Sequence, residues 1–447
     1  MNISEQFFHA VDEVAKQEIP DFVMARARQS LLDYLAVTCA GAAFQHDKLE
    51  KYFDFAQPEK GEFVAIGTGK KLVLKEAVFM NGLNGHALDF DDGTNSGIIH
   101  LGSPIFSLLL PLSQRHEKSL EELLRAAVIG YEASYTMAVS IQPRHKALGF
   151  HATGTCGMLG ATLAASYLLG LSEEDSYQAF AAACVAASGM LKVLDDGSEL
   201  KPYNVAKTAL LSLTSLQLGV SGFKGHPDPL GGYRGFLKMM VGSEEVELKP
   251  CLLNGTYAIM KSYTKPYASC RYTHPPVEAT IHLRNRYGLS AESIEKISVS
   301  TYNLAVSGHD HTDIHGSYSA KMSIPYSVAV ALVYGKAGLQ EFAEDVVNGL
   351  VIKTLTKKVE VRADDALSAL FPDKQSAVVT IKAQSGEYSE RVDFPKGEPE
   401  NPLSDTEFYD RYKSLMAYGG VKDGVYETIY NSVHSENPSI KEMIAKL

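Results

Sequence analysis

The chain has 447 residues, with 42 Lys and Arg against 53 Asp and Glu, and a formal net charge of −11. This length favours two domains over one, and a hydrophobic share of 45% is ordinary for a globular protein. The acidic balance and the absence of a basic stripe argue against a nucleic-acid partner. An anionic small molecule stays open as a partner, because a few local cations can outweigh a diffuse negative charge.

The cysteines are scattered and contain no closely spaced pair, which argues against a zinc ribbon or an iron–sulfur cluster. Their odd number favours a reducing compartment, so we expect a cytoplasmic protein. The N-terminal segment has neither a basic start nor a long apolar core, and no run approaches the roughly eighteen apolar residues of a membrane span. The five cysteines are Cys39, Cys156, Cys184, Cys251 and Cys270.

Apolar residues at helical spacing dominate the chain as far as Lys265. Ser119 and Ser172 each precede acidic residues, which is typical of a capped helix start. The run after Gly157 is small and apolar on all sides, which indicates a buried helix. The pattern predicts helices over residues 22–42, 120–141, 157–169, 176–190 and 207–220.

Beyond Lys265 the pattern of apolar residues changes and indicates an α+β fold. Alternating apolar residues predict strands, and Ser385-Gly386 between two of them predicts a hairpin. Residues 395–402 are rich in Pro and charge and indicate a linker, and the tail from Asp405 is predicted to be helical and to return to the first domain. The predicted strands are 294–302, 358–362, 377–382 and 387–394, and the predicted helices between them are 277–287, 323–334 and 340–348.

One segment concentrates charge among small and apolar residues. It runs NGHALDFDDG and then, after a short polar gap, HLGSP, so that Asp89, Asp91 and Asp92 precede His100. Charges in such surroundings are costly unless they are paired or used, which favours a general acid–base pair. The alternative is a helix end with exposed acids. Three bare carboxylates would repel one another, so we expect only one or two of the acids to matter, with Asp91 or Asp92 simply solvated.

A second cluster, FHATGTCG, contains His151 and Thr155 ahead of the predicted buried helix. Backbone amides at a helix start bind anions, and the helix dipole adds to this. His151 would then lie beside a bound carboxylate and could move a proton. The alternative is a helix cap with a packing histidine.

Several cations could hold a compound with two or three carboxylates. Lys207 follows Asn-Val-Ala in an apolar helix, and Lys265 is followed by Arg271 and His274 in KPYASCRYTH. The alternatives are lysines that extend to solvent along apolar surface and a capped helix start. Tyr326 could donate a hydrogen bond to a substrate or could be structural. Lys201 and Lys224 are interpreted as surface residues.

Two further segments are given structural interpretations. His309, His311 and His315 form a short histidine run without a further ligand set, which is more typical of a polar loop than of a metal site. The glycine- and proline-rich segment 225–236 has neither a phosphate-loop nor a dinucleotide pattern and is interpreted as a turn.

The motifs, in this order, resemble those of the 2-methylcitrate dehydratase family, the MmgE/PrpD superfamily. The resemblance covers most of the chain, from NGLNGHALDFDD through FHATGT and the KPY segment to AKMSIPY. It implies a mainly α fold, with a large all-helical domain built from both termini (1–265 and 396–447) and an inserted smaller α+β lid domain (266–395). It also implies a homodimer.

The resemblance further implies a lyase or isomerase that needs neither metal nor cofactor and acts on small polycarboxylates. Similar proteins dehydrate 2-methylcitrate, decarboxylate cis-aconitate to itaconate or epimerise iminodisuccinate. The positions that match the family's substrate pocket are Asp89, His100, His151, Thr155, Lys207, Lys265 and Tyr326.

This sequence also departs from the decarboxylase branch. Gly93 follows the acids where that branch has Thr, and Cys270 replaces a histidine in the Lys265 motif. Leu101 stands in place of a common proline, and Ser198 in place of a basic residue. These differences leave the choice among the family's reactions open.

The shared chemistry is proton movement next to a carboxylate. We expect His151 or Asp89 to act as the base, and His100 or a partner to protonate the leaving group or the carbanion. Lys207, Lys265 and helix-start amides would stabilise the developing negative charge. One rival hypothesis is a terpenoid-type synthase that binds magnesium diphosphate through Asp89-Phe-Asp-Asp, although the chain has no Trp to line such a pocket. A carboxylate-binding protein without activity is the non-enzymatic rival.

Overall fold

The structure is a computed structural model that describes residues 1–193, 198–436 and 438–447. Helices hold 59% of the residues and strands 10%, so the predicted mainly α fold class is confirmed. The chain divides into two compact units, and both chain ends belong to the first of them. The first unit comprises Met1–Leu191, Lys201–Ser262 and Thr406–Leu447, and the second comprises Lys192–Leu200 and Tyr263–Asp405.

The first unit is built mainly of helices, with one small antiparallel hairpin that the sequence did not predict. The hairpin pairs β1 (Lys60–Ala65) with β2 (Lys70–Leu72). Its α-helices up to Ser262 are α1 (Ile3–Ala15), α2 (Asp21–Phe44), α3 (His46–Ala56), α4 (Leu74–His86), α5 (Gly102–Arg115), α6 (Leu120–Ile141), α7 (Arg144–Ala147), α8 (Ala152–Leu169), α9 (Glu173–Ala186), α10 (Lys201–Val220) and α11 (Phe236–Val241).

Side-chain caps begin two of these helices where the sequence predicted them. Ser119 forms a reciprocal capping box with Glu122 at the start of α6, and the Ser172 side chain caps α9. In contrast, α8 and α10 both start earlier than predicted, because their polar first turns are already helical. His151 and Lys201 therefore lie at helix starts.

Small residues let the helices around these two starts approach closely. A Cβ built on Gly82 of α4 would lie 2.8 Å from the Cα of Ala206 in α10. A Cβ on Gly160 of α8 would lie 2.5 Å from the carbonyl oxygen of Gly130 in α6. Glycine is therefore required at both contacts, and the end of α4 is fixed close to α10.

The second unit is an α+β layer. Its four-stranded sheet has the order β4-β3-β5-β6, with β3 and β4 parallel and the other pairs antiparallel. Helix α12 packs against β5 and β6, and α15 packs against α12 and β4. In chain order the elements are α12 (His274–Tyr287), β3 (Ile294–Thr301), α13 (Asn303–Val306), α14 (Ser317–Met322), α15 (Ile324–Tyr334), α16 (Glu344–Val347), α17 (Leu350–Thr356), β4 (Val359–Ala363), α18 (Asp365–Ser368), β5 (Ala377–Ala383) and β6 (Gly386–Val392).

Two features of this unit differ from the prediction. The helix expected over residues 340–348 is divided into a 3₁₀ turn, Leu339–Phe342, and α16. The segment 395–402, predicted as a linker, is instead packed. Glu398 is 2% exposed and forms an ion pair with Arg271, because a buried guanidinium requires a counter-charge.

The C-terminal tail is helical, as predicted, and belongs to the first unit. Arg411 of this tail forms a buried ion pair with Asp33 of α2 and donates to the carbonyl oxygen of Phe90 at 2.9 Å. The tail therefore fixes the loop that follows α4. Its helices are α19 (Asp405–Tyr418), α20 (Asp423–His434) and α21 (Ile440–Ile444). Across the described residues, every helix falls short of the length or apolar character that a membrane crossing requires.

Replacing Arg411 with Ala should lower the free energy of unfolding by about 3–5 kcal/mol, because it leaves the buried carboxylate of Asp33 without its counter-charge. Urea unfolding followed by circular dichroism measures this. Lys382→Ala is the matched control, since it breaks a pair with Glu295 whose side chains are 59% and 49% exposed. The control should change stability by less than about 1 kcal/mol. Equal effects in both variants would contradict the role of Arg411.

Candidate active site

The loop between α4 and α5 carries the three carboxylates of the predicted segment, and all three are buried. Asp89, Asp91 and Asp92 are 5%, 2% and 4% exposed. The expectation of a solvated Asp91 or Asp92 is therefore wrong. A bridge between Thr94 and Ile99 closes the remainder of the loop. Each buried carboxylate consequently needs its own partner.

Asp92 has a structural role at the start of α5. Its Oδ1 accepts the backbone N–H of Gly102 at 2.9 Å, and its Oδ2 accepts the hydroxyl of Tyr131 at 2.6 Å. A carboxylate in this position also interacts favourably with the helix dipole. Burial nevertheless raises the pKa of Asp92 to about 6, because the two hydrogen bonds offset only part of the lost hydration.

Asp91 is paired with His86, the last residue of α4. The Nδ1 of His86 lies 2.8 Å and 3.0 Å from the two carboxylate oxygens of Asp91. Ser103 donates its hydroxyl to Asp91 Oδ2 at 2.7 Å. The carboxylate is thus held from two sides, and it fixes the orientation of the imidazole.

Asp89 has a left-handed backbone conformation with φ of +50°. Asp tolerates this region better than most residues, and such conformations are frequent at functional sites. The Oδ1 of Asp89 lies 2.5 Å from Lys201 Nζ and 3.5 Å from His100 Nε2. The interpretation of Lys201 as a surface residue is therefore wrong, since its ammonium group is the cation paired with Asp89.

His100 is held at both its backbone and its ring. Its backbone N–H donates to Thr153 Oγ1 at 3.1 Å, and its Nδ1 lies 2.8 Å from the carbonyl oxygen of Asp92. A carbonyl oxygen only accepts, so Nδ1 carries the proton. In the neutral ring the lone pair is then on Nε2, the nitrogen that faces Asp89.

His151 is the residue before the first turn of α8, and its Nδ1 lies 3.3 Å from the amide nitrogen of Asn204. That amide nitrogen also donates to the carbonyl oxygen of Met190 at 3.4 Å, which fixes the orientation of the amide. Burial, reinforced by Lys201 and the neighbouring imidazoles, holds the pKa of His151 well below its ordinary value. The ring is therefore neutral, accepts at Nδ1 and carries its proton on Nε2.

The three imidazoles lie together. The ring centroids of His86 and His100 are 4.6 Å apart, those of His86 and His151 are 6.0 Å apart, and those of His100 and His151 are 6.4 Å apart. The first unit thus brings together Asp89, His100 and His151, which the sequence predicted as catalytic.

Lys207 and Thr155, predicted to bind substrate, have other partners in this structure. Lys207 is half-buried and donates from Nζ to the carbonyl oxygen and the hydroxyl of Ser188, both at 2.7 Å. Burial lowers its pKa. The hydroxyl of Thr155 is fully buried and lies 2.8 Å from Nε2 of His145. Their roles towards a substrate stay predictions.

The remaining predicted residues lie in the second unit. Arg271 forms its ion pair with Glu398, and His274 Nε2 lies 3.2 Å from the carbonyl oxygen of Ser269. The hydroxyl of Tyr326 donates to the carbonyl oxygen of Glu341 at 2.7 Å, and burial raises its pKa. Lys265 and Arg271 are 1% and 7% exposed and Cys270 is partly buried, so the second unit holds buried cations of its own.

The histidine run has separate partners, in keeping with its interpretation as a polar loop. His309 Nδ1 lies 2.8 Å from the carbonyl oxygen of Met322, and His311 Nε2 lies 3.2 Å from that of Ser319. His315 is exposed and lies beside Asp313.

One buried group has the composition of a cation site. One ligand atom each from His86, Asp89, Asp91 and His100 lies within 4.8 Å of the others. However, the ammonium group of Lys201 already neutralises Asp89, and the Nδ1 atoms of both imidazoles are engaged in hydrogen bonds. The chain therefore supplies its own cation here, and we assign no metal to this group.

His86, Lys201 and Asn204 are site residues that were not predicted from the sequence. His86 lies within the quoted NGHALD motif, five residues before Asp91, and a histidine at a predicted helix end next to acids was an available signal. Asn204 was visible only as a neighbour of Lys207. Lys201-Pro202 at a helix start carried no signal of its own.

Comparison with known proteins covers almost the whole chain. The profile of the MmgE/PrpD N-terminal domain matches residues 5–249, and that of the MmgE/PrpD C-terminal domain matches residues 267–429. A cis-aconitate decarboxylase from Aspergillus terreus is 25% identical over 94% of this chain and 90% of its own length. The cis-aconitate decarboxylases from Mus musculus and Homo sapiens are 23% and 22% identical, each over 92% of this chain and over 86% and 87% of their own lengths. These similarities support a lyase of the MmgE/PrpD type.

Asp92→Asn should make stability less dependent on pH between about 4 and 6. The wild-type folded state, with a pKa of about 6 at Asp92, binds this proton more tightly than an unfolded Asp, whose pKa is about 3.9. The wild-type free energy of unfolding therefore falls as pH rises through this window, by up to about 3 kcal/mol from this group. Asn does not titrate; its oxygen can still accept from Gly102, and its NH2 group can donate to the phenol oxygen of Tyr131.

Urea unfolding of both proteins at several pH values measures the difference between them. The stability of wild type relative to Asp92→Asn should decrease from pH 4 to 6 and then level off. A difference that is flat or rises over this range would contradict the raised pKa.

Proposed function

Because this chain belongs to the MmgE/PrpD family, we propose that it is a lyase that acts on a small polycarboxylate by moving a proton next to a carboxylate. The substrate is of the cis-aconitate or 2-methylcitrate type. The observation that carries the proposal is the buried group in which Lys201 pairs with Asp89 while His100 and His151 lie beside them. Cations for a carboxylate and groups for proton transfer are thus present in one place.

Binding of the substrate's carboxylates is assigned to cations and helix-start amides. Lys201 and Lys207 are partly buried cations at the start of α10, and the first amides of α8 follow His151. In partly dehydrated surroundings a charge-assisted hydrogen bond is about twice as strong as a neutral one. We retain Lys265 and Arg271 of the second unit as further carboxylate-binding residues, since buried cations suit a multiply charged acid.

The two outer imidazoles have complementary proton states. His100 presents a lone pair at Nε2 beside Asp89 and is the proposed base. His151 presents an N–H at Nε2, because Asn204 occupies its Nδ1, and is the proposed hydrogen-bond donor to the negative charge that develops on the substrate. His151 was expected from the sequence to act as a base, so this proposal changes its role. A C–H next to a carboxylate is weakly acidic, so the developing negative charge must be stabilised by Lys201 and by the N–H of His151.

The proposed reaction uses no metal, since the ammonium group of Lys201 provides the positive charge that a metal would supply. Decarboxylation is preferred over dehydration because the named relatives are cis-aconitate decarboxylases. Epimerisation of a dicarboxylate such as iminodisuccinate is the alternative that uses the same base and donor. The homodimer, the cytoplasmic location and a lid role for the second unit, with Thr155, Cys270, His274 and Tyr326 at the substrate, stay predictions.

The test of the proposed function is a substrate panel with EDTA present. Purified protein is incubated with cis-aconitate, 2-methylcitrate and iminodisuccinate, and carbon dioxide release and proton NMR identify the products. Release of carbon dioxide from cis-aconitate is expected. Water loss or inversion alone would assign the chain to another branch of the family. Binding without turnover would favour a carboxylate-binding protein, and a requirement for magnesium would favour the terpenoid-type alternative.

His151→Ala should reduce kcat by about 10²–10³-fold, because it removes the proposed hydrogen-bond donor to the developing negative charge. Its thermal midpoint should stay close to that of the wild type, since within the part of the chain that the structure describes the ring has a single side-chain hydrogen-bond partner, Asn204. Turnover on the active acid and a thermal melt are measured on the same preparation. Near-normal turnover in this variant would reject the assignment.

Lys201→Met should lower kcat/KM by about 10–100-fold, which corresponds to the loss of a hydrogen bond to a charged group. Lys224→Met is the matched control, because the side chain of Lys224 is 78% exposed and lies 3.9 Å from Glu174. The control should retain wild-type kinetics. If the two variants behave alike, Lys201 does not bind the substrate.

A further inference from the structure

We propose that His86 is a further proton-transfer residue of this site, that it acts through Nε2, and that Asp91 and Ser103 orient it. The inference rests on the proposed function, because it names one more residue for the same reaction. His86 is neither among the positions that match the family's substrate pocket nor among the residues expected from the sequence to act as base or acid.

The orientation of His86 is fixed from the Nδ1 side. Both oxygens of Asp91 lie within 3.0 Å of Nδ1, and Ser103 holds that carboxylate by donating to it at 2.7 Å. An ionised carboxylate only accepts, so Nδ1 carries a proton and the exchangeable position of the ring is Nε2. A carboxylate that orients an imidazole in this way is a recurring arrangement in acid–base catalysis.

The Nε2 atom itself is buried, since His86 is only 1% exposed. Among the described residues it has no hydrogen-bond partner. Leaving such an atom unsatisfied costs about 1–3 kcal/mol. Another buried histidine in the same unit has hydrogen-bond partners at both ring nitrogens. His145 is fully buried, and its Nδ1 and Nε2 are satisfied by the carbonyl oxygen of Met240 and the hydroxyl of Thr155. The unsatisfied Nε2 therefore points to a partner that binds from outside the chain.

The surroundings identify this partner as the reacting acid. The His86 ring lies near the rings of His100, the proposed base, and His151, the proposed hydrogen-bond donor. The His86 side chain is 0% exposed, whereas that of His100 is 11% exposed. His86 is thus the inner residue of the group, and a proton that it gives away must be replaced through the more exposed His100.

The proton balance suits either lyase reaction. In decarboxylation the carbon–carbon bond to a carboxylate breaks, its electron pair stays on the remaining carbon skeleton and carbon dioxide leaves. A new C–H bond then forms with a proton from Nε2 of doubly protonated His86, and water resupplies that proton through His100. In dehydration the base removes a C–H proton, and Nε2 donates one to the departing hydroxyl. No oxidant or further reactant is required.

The test uses His86→Asn, because the Asn amide can still donate to Asp91 in place of Nδ1 but has no group in place of Nε2. We expect kcat to fall by about 10²–10⁴-fold, while KM stays within about threefold and the thermal midpoint stays near that of the wild type. His309→Asn is the matched control. His309 is a buried histidine of the second unit whose Nδ1 lies 2.8 Å from the carbonyl oxygen of Met322, so its replacement should leave the kcat of folded protein unchanged.

A second measurement does not depend on how the variant folds. Long-range proton–nitrogen NMR of wild-type protein labelled at histidine nitrogen, with and without itaconate, reports each ring nitrogen separately. The resonance of His86 Nε2 should shift on binding while that of Nδ1 stays near its original position. Near-normal kcat in His86→Asn, or an unchanged Nε2 resonance, overturns this inference while wild-type turnover preserves the proposed function. A wild-type protein that turns over none of the acids overturns both.

Discussion

The burial of three carboxylates within four consecutive residues is the constraint that the first unit is built to satisfy. Each carboxylate in this loop costs several kcal/mol to dehydrate unless a partner is fixed beside it. The partners come from separate parts of the chain. Helix α10 supplies an ammonium group, α4 supplies an imidazole, and α6 and the start of α5 supply a phenol and an amide. The C-terminal α19 adds a guanidinium group that holds the carbonyl oxygen of Phe90 between them.

This constraint couples the chemistry to the fold. The partners of the loop come from the two helices that flank it and from α6, α10 and α19, and Asp89 keeps an uncommon backbone conformation there. Close approach of α4 and α10 at Gly82 brings Lys201 and Asn204 to the loop. The early starts of α8 and α10 belong to the same arrangement, since they put His151 and Lys201 at helix ends rather than in flexible connections.

Much of this arrangement could be predicted from local sequence. Periodicity and caps predicted α2, α6, α9 and the strands of the β5–β6 hairpin, whereas α3, α4, α5 and the β1–β2 hairpin were not predicted. The Asp89–His100 segment and His151 were recognised as chemical groups. Lys201 could not be recognised, because a lysine followed by proline at a helix start is also typical of a solvated end. His86 was missed since its role depends on Asp91 being buried, which spacing alone does not show. The engagement of Thr155 with His145 likewise depends on packing between helices.

The hydrogen-bond partners of the three imidazoles determine which ring nitrogen carries the proton and which accepts. Each ring is held at Nδ1 by a different group, namely the carboxylate of Asp91, the backbone carbonyl group of Asp92 and the amide nitrogen of Asn204. The first two partners accept, so their rings keep the proton on Nδ1, whereas the third donates, so its ring keeps the proton on Nε2. Chemically identical side chains thus present two different tautomers in one site. A lone pair on Nε2 suits removal of a proton next to a carboxylate, whereas an N–H on Nε2 suits stabilisation of the negative charge that develops.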